Sequence, residues 1–203
     1  MRHIAPGQAS QKEYAMRYCA EHKAATRERL LAASGALAKQ QGFAVSGVDA
    51  LMKTVGLSGA AFYKHFPSKD ALFSELIERE LSNSLARLGG DGSHNGTDAL
   101  RRCLHAYLSL AHAEQPDRGC VLPALGAEIA RADDSLKLLT EQHIVRLQQA
   151  WAEILDDGQL AWNLLAQCLG SLMLARMMVS SQTRQQVLNA SHEMFEHTLQ
   201  SVG

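Results

Sequence analysis

The stretch from Ser46 to Phe66, SGVDALMKTVGLSGAAFYKHF, constrains the fold of this chain more than any other. Ser46 is placed to cap a short helix, and Asp49 three residues on completes a capping box. Val48, Leu51, Met52 and Val55 recur at helical spacing and give that helix one apolar face. Gly56 stands where a helix ends in a left-handed residue, which glycine adopts without steric penalty. Ser58 is placed to cap a second helix whose Phe62 and Phe66, four apart, face inward. Gly59, Ala60, Tyr63 and Lys64 are then left on the opposite, polar and basic face. Two helices about a tight turn, the second with an uncovered basic face, form the helix-turn-helix pattern.

The run from Thr26 to Leu72 also resembles the N-terminal domain of the TetR family of bacterial transcriptional repressors. The resemblance is carried by TRERLL, by QGF ahead of the capped helix, and above all by FYKHFPSKDALF. A second block, Gly119 to Arg131 (GCVLPALGAEIAR), is similar to a segment of one branch of that family. The resemblance implies an all-α fold of about nine helices. It would join an N-terminal three-helix helix-turn-helix domain to a C-terminal helical ligand-binding and dimerisation domain. It further implies a homodimer formed through the last two helices, a double-stranded DNA operator, a small-molecule inducer and no cofactor.

Composition agrees with an all-α chain: 46% of residues are hydrophobic and only 5% aromatic. The net charge of −1 hides an asymmetry. Residues 1–69 carry ten Lys or Arg against four Asp or Glu, and residues 70–203 carry ten against seventeen. A basic module beside an acidic one suits a chain of which one part meets phosphates. No apolar run reaches the ~18 residues of a membrane span, so no membrane partner and a cytoplasmic location are expected. Cys19, Cys103, Cys120 and Cys168 lie far apart without a C-x-x-C, which argues against a zinc site or a disulfide framework. The nine histidines lack metal-ligand spacing, although His105 and His112 are spaced to share a helix face.

Taken in order, residues 1–20 read as a flexible N-terminal arm. Met16 resembles the usual start of this branch, so the first fifteen residues read as an upstream extension or, alternatively, as a genuine basic arm with Arg2 and Lys12. Residues 21–67 form the DNA-binding domain, opening with a helix from Glu21 to Gln41 that buries Leu30, Leu37 and Ala38 and leaves Lys23, Arg27 and Lys39 outside. Residues 68–203 form the second domain. Its helices are expected from Ser68 to Leu88, Thr97 to Ala113, Cys120 to Arg131, Asp133 to Leu155, Gln159 to Ser180 and Thr183 to Val202, with Gly89 to Gly96 as a linker. The helix from Gln159 is apolar nearly all round. Ala166, Gly170 and Leu174, with Ser171 and Ala175 beside them, make a small-residue stripe that a symmetry mate can approach.

For DNA, the helix starts at Ser46, Gly47, Ser58 and Lys69 offer backbone donors or charge, and Arg27, Tyr63, Lys64 and His65 add side chains. Gly59, Ala60 and Ala61 permit close approach but no bidentate base pairing, which leaves Lys64 to read guanine. Leu104, Tyr107, Leu108, Leu147, Trp151, Met173 and Met177 are candidates to line a ligand cavity, although a Met and Leu stripe at helical spacing more often fills a core. Cys120 at an expected helix start is a candidate redox sensor, against the more ordinary reading of a small packing residue. No carboxylate pair, Ser-His-Asp set or phosphate loop points to catalysis. A ligand-responsive repressor is the leading reading. An all-α binder or enzyme with an incidental helix-turn-helix, and an activator of the same fold, stand beside it.

Overall fold

The computed structural model describes residues 11–89 and 96–202, with side chains over 21–89 and 96–200. Among them are nine α-helices, two short 3-10 helices and no strand. The N-terminal group comprises α1 (Gln11–Gln41), α2 (Val48–Lys53), the 3-10 helix η1 (Gly59–Lys64) and α3 (Lys69–Leu88). The remainder comprises α4 (Gly96–Tyr107), α5 (Leu110–Glu114), the 3-10 helix η2 (Pro116–Arg118), α6 (Leu122–Ala130), α7 (Asp134–Leu155), α8 (Gly158–Met177) and α9 (Ser181–Val202).

Several local expectations are met by their physical causes. Gly56 has φ +74°, its N–H bonds Lys53 O, and the Leu57 N–H bonds Met52 O, which is the Schellman ending of α2. Ser68 caps α3 by accepting from Ala71 N at 3.0 Å. Asp133 likewise caps α7, and Asp157 caps α8.

Others are corrected. α1 starts at Gln11, so residues 11–20 extend the first helix instead of forming an arm; residues 1–10 and linker residues 90–95 lie outside the described residues. Ser46 does not cap α2: its hydroxyl donates back to Gly42 O at 2.8 Å, closing the α1–α2 turn, and Gly47 takes the cap position without a side-chain bond. Ser58 holds the cap position of η1 but also makes no side-chain capping bond. Thr97, expected ahead of the helix as its cap, lies inside α4. The helix expected from Thr97 to Ala113 breaks at Ser109, whose hydroxyl accepts from His112 N and starts α5. His105 and His112 therefore sit on different helices, and His105 stacks on His192 of α9.

Two apolar cores result. One holds Leu100, Leu104, Trp151, Leu164, Leu172 and Phe195 among others, from α4, α7, α8 and α9. The other surrounds the helix-turn-helix with Leu30, Leu51, Met52, Phe62, Phe66, Phe73 and Ile77. This second core does not close at residue 67, because Val121, Leu125, Ile129 and Leu136 pack into it.

Candidate functional site

Phe62 and Phe66 are 0% and 1% exposed and lie nearly parallel, and Tyr63 between them is 68% exposed. Lys64 is exposed beside it, so η1 buries its aromatic pair and turns Tyr63 and Lys64 outward. The segment is 3-10 in its steps: Ala61 N bonds Ser58 O, and His65 N bonds Phe62 O. Ala60 is exposed, and Gly59, Ala61 and His65 are half-buried. Gly59 has a reason the sequence did not disclose. A Cβ there would come within 1.7 Å of Asp49 Oδ1, so the α2 carboxylate rests directly against the start of η1. Burial, then Lys23, Arg27 and Lys64, hold the His65 imidazole pKa below its ordinary value.

The other expected cations are committed within the fold. Arg27 pairs with Glu75 and lies 4.6 Å from the Phe66 ring centroid. Lys69 donates to Ala44 O at 2.9 Å and stands over the Phe43 ring. Ser46 is buried, whereas Gly47 is exposed with nothing near its Cβ position.

Two long-range ties join this region to the rest of the chain. Lys39, expected outside, is buried, and its Nζ donates to Glu80 at 2.7 Å and to Gly119 O at 3.1 Å. Glu128 of α6 accepts from the Phe43 and Ala44 N–H groups at 2.9 and 2.7 Å, clamping the α1–α2 turn.

Between α3, α4, α7 and α8 runs a narrow inner cavity of about 40 Å³. Leu104, Tyr107, Leu147 and Trp151 border it; Leu108 is fully buried in the adjacent core without bordering it. Met173 and Met177 do not line it. They are 40% and 65% exposed, because α8 turns Cys168, Leu172 and Ala175 inward instead. An outer recess, more open, shares Ser84, Leu88, Tyr107 and Cys120 with the inner cavity.

Cys120 is 6% exposed and precedes α6, which begins at Leu122. It is therefore not at the helix start where a dipole would act, and its N–H donates to His112 Nε2 at 2.9 Å. The His112 Nδ1 faces Tyr107 O at 2.6 Å, and a carbonyl only accepts, so Nδ1 carries the proton and the ring is neutral. Burial lowers the His112 pKa, partly opposed by the bond to Tyr107 and reinforced by Arg176. The unfolded chain then binds more protons below the ordinary 6.5, and stability falls as pH drops through that value. Urea midpoints at pH 5.5 and 7.5 are expected to differ more in the wild type than in His112→Gln; equal differences would sink this.

Among the described residues, no group of three or more His, Cys, Asp or Glu is placed to hold a metal ion, and no helix is long and apolar enough to cross a membrane. Residues 30–76 match the pattern of the bacterial regulatory proteins of the tetR family. The nucleoid occlusion factor SlmA of Marinobacter nauticus is 31% identical over 143 residues, 70% of this chain and 72% of that protein. The chain belongs to the tetR family. Family membership makes it a DNA-binding transcriptional regulator. The HTH-type transcriptional repressor NemR of Escherichia coli is 26% identical over 66% of this chain and 69% of its own length. The crystal structure of reduced E. coli NemR shares the fold with a TM-score of 0.68, at 24% identity over 82% of this chain and 95% of that one.

Proposed function

We propose that this tetR-family protein is a cytoplasmic, ligand-responsive repressor that binds a pseudo-palindromic operator as a homodimer. Residues 21–67 read DNA; residues 68–203 bind the inducer and form the dimer. The observation that carries the reading is η1, where Phe62, with Phe66 just beyond it, locks inward while Tyr63 and Lys64 stand at the surface. Paired across a dimer, two such segments would lie about one DNA turn apart, roughly 34 Å. Selection from random duplexes tests it. Enrichment of half-sites at that spacing, with salt-sensitive affinity, is expected. Binding of small molecules without specific DNA affinity would overturn it in favour of a binder or enzyme.

Dimerisation through α8 and α9 is supported by Trp162, Met173, Leu174 and Met177 on α8 and Met194 on α9, all exposed on one protomer. Ala166 and Gly170 lie along that same stripe, and Gly170 has nothing within 4 Å of its Cβ position. Ser171 and Ala175 do not belong to it, since both are buried, Ser171 against Ser191. Gly170→Leu is expected to leave the protomer folded and weaken the dimer by about 1–3 kcal/mol. Analytical ultracentrifugation checks this, and a wild type monomeric at micromolar concentration would refute the interface.

Cys120 is proposed as a thiol sensor because it borders both the inner cavity and the outer recess, which gives a small oxidant a route to it. Hydrogen peroxide would convert the thiol to a sulfenic acid and leave as water. Operator release by peroxide is expected in the wild type and not in Cys120→Ser. Equal release from both would end this reading.

A further inference from the structure

The polar groups along the inner cavity are unequally committed. The Trp151 indole donates to Leu88 O at 2.7 Å. Both His143 ring nitrogens are engaged, one by Leu139 O and the other by the Ser82 hydroxyl. Two hydroxyls remain. Ser84 Oγ and Tyr107 Oη are buried without a nitrogen or oxygen partner, on residues only 5% and 7% exposed. The Tyr107 hydroxyl points to the Cys120 sulfur, a weak acceptor, and Cys168 and the half-buried Arg176 guanidinium also act on it electrostatically. Burial holds the phenol well above its ordinary pKa, so it stays a donor. No Asp, Glu, Lys or Arg borders the inner cavity among the described residues.

We propose that the inner cavity takes an uncharged, slender, mainly apolar molecule with one hydrogen-bond-accepting oxygen, which the Tyr107 and Ser84 hydroxyls recognise. The proposal rests on reading this cavity as the inducer site and names the chemical class of the inducer. A charged ligand would shed its hydration against a lining that itself holds no Asp, Glu, Lys or Arg. A ligand without oxygen would fill the space and leave both buried donors unmet. A neutral carbonyl or ether on a ring or short chain meets both demands, and because the space is only about 40 Å³ its apolar walls must part to admit the ligand, which favours a small, flat body.

Acetophenone, benzoate and isopropylbenzene test this, because they share a ring and nearly a shape. They carry a neutral carbonyl, a carboxylate and no oxygen respectively. In a Trp162→Phe background Trp151, which borders the cavity, is the remaining tryptophan and reports binding by fluorescence. Acetophenone is expected to bind most tightly, benzoate about tenfold or more weaker, and isopropylbenzene about three- to tenfold weaker. Tyr107→Phe, and separately Ser84→Ala, should reduce the preference for acetophenone over isopropylbenzene. Unchanged isopropylbenzene binding in each variant shows that the cavity is still folded. Benzoate binding as tightly as acetophenone, no quenching by any of the three, or a preference intact in both variants would overturn the proposal. No DNA enters this titration. A protein that shows the preference but is not released from its operator by acetophenone therefore refutes the inducer reading and leaves the ligand class standing.

Discussion

Lys39→Ala is expected to cost the fold about 3 kcal/mol, which for a chain of this size lowers the thermal midpoint by roughly 10 °C. The Lys39 side chain is only 5% exposed and its partner Glu80 15%, so alanine strands a carboxylate that water barely reaches. It also leaves Gly119 O without its ammonium donor. The residual exposure of Glu80 sets the effect at the lower end of what breaking a buried pair costs. Arg79 and Glu28, paired at 3.0 Å across the same two helices, are 34% and 64% exposed. Arg79→Ala should therefore cost under about 1 kcal/mol. Urea unfolding at one fixed protein concentration separates the two cases. A Lys39→Ala variant no less stable than Arg79→Ala would show that the buried pair contributes nothing.

Alanine at Tyr63 or at Lys64 is expected to weaken operator binding about tenfold, and the double variant about a hundredfold, without loss of helicity. Among the described residues, the exposed Tyr63 hydroxyl has no hydrogen-bond partner and Lys64 makes no ion pair. Removing either leaves the core behind η1 intact. If Lys64 meets a phosphate, its alanine variant should also flatten the dependence of affinity on salt by about one unit of slope. If it meets a base edge, discrimination at a single operator position should relax instead, by about 1–3 kcal/mol. Arg27→Ala should differ in kind, since its guanidinium is held by Glu75 and Phe66 and its loss acts on stability. Gel shifts in which both single variants bind like the wild type would remove Tyr63 and Lys64 from the interface.

What the sequence disclosed was local. The Gly56 turn, the Ser68 cap and the inward Phe62–Phe66 pair each depend on residues within a few positions of one another, where spacing carries the physics. Ser46 shows the limit even at short range: its hydroxyl could accept from an α2 amide or donate to a carbonyl of the preceding turn, and it donates to Gly42 O. Lys39 and Glu128 were missed for a different reason. Their partners lie 80 and 85 residues away, and a helical wheel cannot tell which polar position a distant segment will cover. Met173 and Met177 failed similarly. α8 is apolar nearly all round, so periodicity gave no means of choosing its inner face, and the packing of Cys168, Leu172 and Ala175 decided it. The two unpartnered hydroxyls at Ser84 and Tyr107 have no sequence signal, because their significance lies in what does not surround them.

The short helix α6 carries Leu122, which borders the inner cavity, in its first turn, and Glu128, which grips the Phe43 and Ala44 amides, in its last. Nine residues of α-helix span about 13 Å, too short a rod to bend appreciably. The cavity wall and the turn that leads into α2 are thus two ends of one stiff body. A tilt of about 5° would swing its far end by about 1 Å, comparable to the slack in a hydrogen bond, so the grip of Glu128 has little play with which to absorb a crowded cavity.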